Sequence, residues 1–112
     1  MGKKLTITMT NRPPVTVDTD AWPIVARADD YDGGTRTVYR LTVRQHADGR
    51  AVVYGVCEAG GGGQYVGFRA RRAGVLAAGG IIDAIHRVCE TCGLGGAMAE
   101  LCIASLPAEE LT

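Results

Sequence analysis

The chain has 112 residues, 46% apolar and 21% charged, and its 12 basic and 12 acidic side chains give a formal net charge of zero. That is the size and composition of one globular domain, spanning 1–112, with no room for a second core. The charge balance lacks the basic excess of a general nucleic-acid binder, and no apolar run approaches the ~20 residues of a membrane-spanning helix.

Aromatic residues make up only 5%, so the core must be built from aliphatic side chains. Lys3 and Lys4 precede a threonine-rich stretch rather than a signal-peptide core. A cytoplasmic chain with four reduced cysteines is therefore expected.

Residues 4–10 alternate apolar side chains with threonine, the period of a half-buried strand. Pro13 and Pro14 interrupt it, and 15–17 resume an extended edge strand. Asp18, Thr19 and Asp20 supply capping oxygens ahead of 21–27, where Pro23 suits a first turn, so a short N-terminal helix is expected. Asp29, Asp30, Tyr31, Asp32, Gly33 and Gly34 read as an acidic loop.

Residues 37–45 and 50–57, joined through Asp48-Gly49, predict a β-hairpin. With Asp48 and Gly49 as the two turn residues, Leu41 falls opposite Val56 and Val43 opposite Tyr54. Tyr39, Leu41, Val43, Val52, Tyr54 and Val56 then share an apolar face. Arg36, Arg40, Thr42 and Arg44 share the other with Val53 and Cys57, and solvate it.

A glycine run at 60–63 leads into a further strand over 64–69. Helical periodicity over 78–92 places Ile82, Ile85, Val88, Cys89 and Cys92 on one stripe, stopped by Gly93. A second helix over about 97–105 buries Met98, Leu101, Cys102 and Leu106 and ends at Pro107. The sum is an α+β domain: an antiparallel sheet of four to five strands, a short N-terminal helix, and two C-terminal helices packed on one face.

Cys89 and Cys92 have the spacing of a zinc half-site, with His86, Cys57, Cys102 and His46 elsewhere. Both cysteines fall on the apolar stripe of a helix, and no second pair exists, so core packing is the expected role and no metal is assigned. The Gly60–Gly63 run lacks the lysine and following helix of a phosphate loop, and no cofactor is expected; a lid over a small ligand is the alternative. The two histidines have no nucleophile–base partner, so no catalytic residue is assigned and the chain is read as a non-enzyme.

Charge is segregated along the chain. Between 36 and 72, Arg36, Arg40, Arg44, Arg50, Arg69, Arg71 and Arg72 meet only Asp48 and Glu58, whereas 18–32 and 83–110 are acidic. Such a layout steers association with a charged partner, and arginine suits carboxylate or phosphate. The plainer expectation is that these arginines solvate a sheet face and pair with the chain's own acids. Asp29, Asp30 and Asp32 form a second candidate surface.

Residues 5–15 (LTITMTNRPPV), 22–23 (WP), 43–50 (VRQHADGR), 53–55 (VYG) and 102–111 (CIASLPAEEL) resemble small accessory proteins of transposable Mu-like phages and prophages of proteobacteria. The similarity spans nearly the whole chain but carries no activity motif. It implies a bacterial cytoplasm, expression from a mobile element, and a role such as blocking a host defence. The expected function is that of a non-enzymatic accessory protein binding a host protein or protein complex, an anti-CRISPR-type inhibitor being the specific reading. The alternatives are a nucleic-acid-binding regulator using the arginine face and a small-ligand sequestering protein. No membrane partner is expected, and the oligomeric state, a homodimer included, stays open.

Overall fold

The computed structural model describes residues 2–9, 12–34, 37–59, 69–77 and 80–107. The architecture is α+β: strands β1 (Lys4–Ile7), β2 (Val15–Asp18), β3 (Ile24–Asp32), β4 (Thr37–Gln45), β5 (Ala51–Ala59) and β6 (Arg69–Ala77), then helices α1 (Ile81–Cys92) and α2 (Gly96–Ala104). The strands form two antiparallel sheets rather than one. β1 and β2 pair by themselves, and the larger sheet runs β3-β4-β5-β6.

The expected N-terminal helix is absent from the described residues, where 21–27 instead lead into β3. The N–H groups of Ala21 and Trp22 close a single turn on the Asp18 carbonyl, at 3.1 and 2.9 Å. Pro23 then disfavours a helical conformation for the residue before it, and its own carbonyl accepts from the Gln45 N–H at 3.1 Å, which draws the chain into the sheet. The acidic stretch is likewise not a loop: Asp29 through Asp32 complete β3, paired with Arg40, Tyr39, Val38 and Thr37 of β4.

The β4–β5 hairpin forms, but one residue out of the expected register. Leu41 pairs with Gly55 and Val43 with Val53. The turn explains the slip. Gly49 N–H donates to the His46 carbonyl at 2.9 Å, His46 N–H donates to the Arg50 carbonyl at 2.8 Å, and Gly49 sits at φ 97°. The connection is thus a three-residue loop, Ala47-Asp48-Gly49, with glycine in the left-handed position, and not a two-residue turn. A slip of one residue turns every β5 side chain to the opposite face.

Two cores result, one on each face of the large sheet. On one face Ala26, Ala28, Leu41, Val43, Ala51 and Val53 pack against Ile85, Val88, Cys89, Met98, Ala99 and Cys102 of the helices. On the other, Val52, Tyr54 and Val56 lie beneath Ile7, Met9 and Val17 of the β1–β2 hairpin. β5 is therefore buried on both sides from Ala51 to Val56. Each large aliphatic side chain so enclosed contributes about 1.5–3 kcal/mol.

Both expected helices pack on one face, with shifted details. α1 starts at Ile81 rather than 78 and ends at Gly93, whose N–H donates to the Glu90 carbonyl. Its buried stripe is Ala84, Ile85, Val88 and Cys89, while Ile82 is exposed. In α2, Met98, Ala99 and Cys102 are buried, and Leu101, expected inside, is 59% exposed. Of the strand expected over 64–69 only Arg69 lies within the described residues, as the first residue of β6, which runs to Ala77. No helix among the described residues is long and apolar enough to cross a membrane.

Candidate functional site

The arginines expected to form one exposed row are held in different ways. Arg44 is half-buried and acts as a strut. Its Nε donates to the Tyr54 hydroxyl at 3.0 Å, and its Nη1 donates to the Trp22 carbonyl at 3.0 Å. It does not solvate the face, because the observed register brings Val52, Tyr54 and their cover alongside it.

Arg50 belongs to the turn. Its Nε meets Asp48 Oδ2 at 2.8 Å, and its guanidinium lies 5.3 Å from the Trp22 ring centroid. The Arg50 backbone N–H, and its side chain after it, hold the Asp48 carboxyl below the usual carboxylate range. The Trp22 ring also contacts His46, with centroids 5.1 Å apart. This cluster fixes the hairpin tip against the chain entering β3.

Arg40 points onto the flank that the β1–β2 hairpin leaves open. There Asp29 lies between two guanidinium groups: Arg27 Nε at 3.2 Å and Arg40 Nε at 3.3 Å, all three side chains roughly half exposed. Arg27, Asp29, Asp30, Tyr31, Val38 and Arg40 line a shallow cleft of about 450 Å³. Tyr31 is 60% exposed. Exposed ion pairs of this kind contribute under about 1 kcal/mol each, so they leave the fold's stability nearly untouched.

Of the other candidates, Arg36 and the Gly60–Gly63 run lie outside the described residues. Arg69, Arg71 and Arg72 occupy β6 at positions paired with Ala59, Cys57 and Val56, and their side chains lie outside what is described. Asp30 and Asp32 bond locally, accepting from the N–H groups of Tyr31 at 2.8 Å and Gly34 at 2.9 Å. The structure thus unites Arg40 with the acidic surface and separates it from Arg44 and Arg50.

Cys89 and Cys102 are buried and free, with Cys92 partly exposed beside them. Burial pushes both the Cys89 and Cys102 thiols up, Cys102 to about 11, so neither is a ready nucleophile or metal ligand at neutral pH. Among the described residues, no three His, Cys, Asp or Glu side chains converge on a metal position.

No protein-family model, curated protein or solved structure matches this chain. Composition and motif alone do not single out Arg27, Tyr31 and Val38. The signal was present: once 24–32 is read as a strand, Arg27, Asp29 and Tyr31 share one face at period two.

Proposed function

We propose that the chain is a non-enzymatic binding protein, a phage or prophage accessory protein that attaches to a host protein or protein complex through the open β3–β4 flank. An anti-CRISPR-type inhibitor of a host defence is the specific form of this reading. What carries it is the exposed Tyr31 set beside the Arg27–Asp29–Arg40 cluster, since tyrosine and arginine dominate the energetics of protein interfaces. Reading nucleic acid with the arginine face is disfavoured, because Arg44 is committed to Tyr54 and Trp22, and the flank carries Asp29, Asp30 and Asp32, which repel phosphate.

The test is capture from bacterial lysate on the tagged full chain, before and after nuclease treatment. A protein partner that survives nuclease and is lost on Tyr31→Ala with Arg40→Ala is the expected result. Capture that vanishes with nuclease transfers the function to nucleic acid, and undiminished capture by the double variant removes the flank from the account.

A further inference from the structure

β3 ends the large sheet, and half of its backbone faces away from β4. The Gln45–Pro23 bond and the β3–β4 register direct the N–H and C=O groups of Ala26, Ala28, Asp30 and Asp32 toward β4. Those of Arg27 point outward and are both covered by the Ser105 hydroxyl at the end of α2. That oxygen accepts from the Arg27 N–H at 3.0 Å and donates to its carbonyl at 3.2 Å. By the two-residue alternation of a strand, Asp29 and Tyr31 also present their backbone outward.

Beyond Ser105, no described residue covers the edge. Among the described residues, the Tyr31 N–H is screened only by the adjoining Asp30 carboxylate. The Asp29 N–H and the Asp29 and Tyr31 carbonyls have no partner among the described residues. Proteins ordinarily cover or shorten such an edge because it templates another strand, and among the described residues the cover stops at Arg27.

We infer that the β3 edge at Asp29 and Tyr31 docks one extended segment of the partner protein as an added strand, a deepening that rests on the binding reading above. The side chains define the segment. Asp30 and Asp32 share one face of β3 and have no ion pair among the described residues, so the segment carries lysine or arginine at alternate positions on that side. On the other face Asp29 is already compensated by Arg27 and Arg40, and Tyr31 is exposed, so the intervening residues are uncharged and β-branched or aromatic. A second copy of this chain does not fit: two such edges set the uncompensated Asp30 and Asp32 of one against those of the other, and Ser105 blocks each at Arg27. A cation drawn to Asp30 also frees the Tyr31 N–H for the new ladder.

The probe is a short peptide alternating lysine with valine, added to the isotope-labelled full chain and followed by amide resonances and hydrogen exchange. The expected result is shifted resonances over 29–32 and slowed exchange of the Asp29 amide. Affinity should fall about tenfold or more on Asp30→Lys with Asp32→Lys, as reversing complementary charge requires. Asp29→Pro should weaken it similarly while keeping the fold, since that N–H makes no bond to β4. Should this variant fail to fold, the peptide with alternate amides N-methylated supplies the same test and must not bind.

Equal binding of a glutamate–valine peptide, undiminished binding by the charge-reversed chain, shifts confined to another surface, or no binding each overturn the inference. The two claims fail separately. If the chain with Asp30→Lys and Asp32→Lys captures the nuclease-resistant partner as wild type does, the binding reading stands and the edge is excluded. If wild type captures nothing, the binding reading falls and the peptide measurement still decides the edge.

Discussion

A methyl group placed at Gly55 would lie 3.0 Å from Cys92 Sγ, 3.1 Å from Leu94 Cδ1 and 3.3 Å from Val88 Cγ1. Carbon contacts prefer about 3.5–4.0 Å, so α1 and the turn after it must move outward to admit it. Overpacking of this kind costs about 1–3 kcal/mol. Restricting the unfolded chain returns about 0.4–1 kcal/mol of that. Gly55→Ala should therefore destabilise by roughly 0.5–2 kcal/mol, lowering the melting temperature by about 4 °C or more per kcal/mol. In the register with Val52, Tyr54 and Val56 toward the helices, Gly55 points away from α1 and alanine is neutral or stabilising. Urea unfolding of wild type, Gly55→Ala, Cys92→Ala and the double variant measures the effect. Because Cys92 is the nearest obstruction, the double variant should lose less than the sum of the singles. Gly55→Ala unfolding at or above the wild-type midpoint would refute the packing and the register together.

The neighbouring arginines should behave oppositely: Arg44→Ala removes the two hydrogen bonds that Arg44 donates to the Tyr54 hydroxyl and the Trp22 carbonyl and should cost about 1–3 kcal/mol in urea unfolding, whereas Arg40→Ala should stay within about 0.5 kcal/mol. The expectation that the whole arginine row merely solvates a sheet face thus fails at Arg44. Ser105→Ala should uncover the Arg27 backbone, raising hydrogen exchange at that amide and costing about 1 kcal/mol. Burial holds the Cys102 thiol at about 11 against an ordinary 9.0. A proton held more tightly by the folded chain stabilises fully below pH about 9 and is lost as pH rises toward about 11, so Cys102→Ala should flatten that alkaline fall in the urea midpoint.

The helices, the hairpin and the antiparallel character were legible because each rests on a local signal: the period of α1, the stop at Gly93, the turn residues before Arg50. The register was not, for a physical reason. Residues 51–56 are an unbroken apolar run, because β5 is enclosed on both faces, and such a run carries no phase. Only the turn geometry at Gly49 sets it. The acidic stretch misled in the same way, since Asp29, Asp30 and Asp32 have poor strand propensity and are held extended by pairing with β4. That error hid half of the candidate site. Arg40 and the three aspartates stood out by composition, but their union with Arg27 and Tyr31 depends on β3 being a strand.

The central claim, that the chain acts by binding through the open flank, is tested most directly by hydrogen–deuterium exchange of the full chain alone and in complex with its captured partner. Binding through this flank predicts slowed exchange concentrated over the outer half of β3, at Asp29 through Asp32, with α1, α2 and the turn at Ala47–Gly49 unchanged. Protection appearing on the helices or the turn, with the β3 edge exchanging as in the free chain, would contradict it.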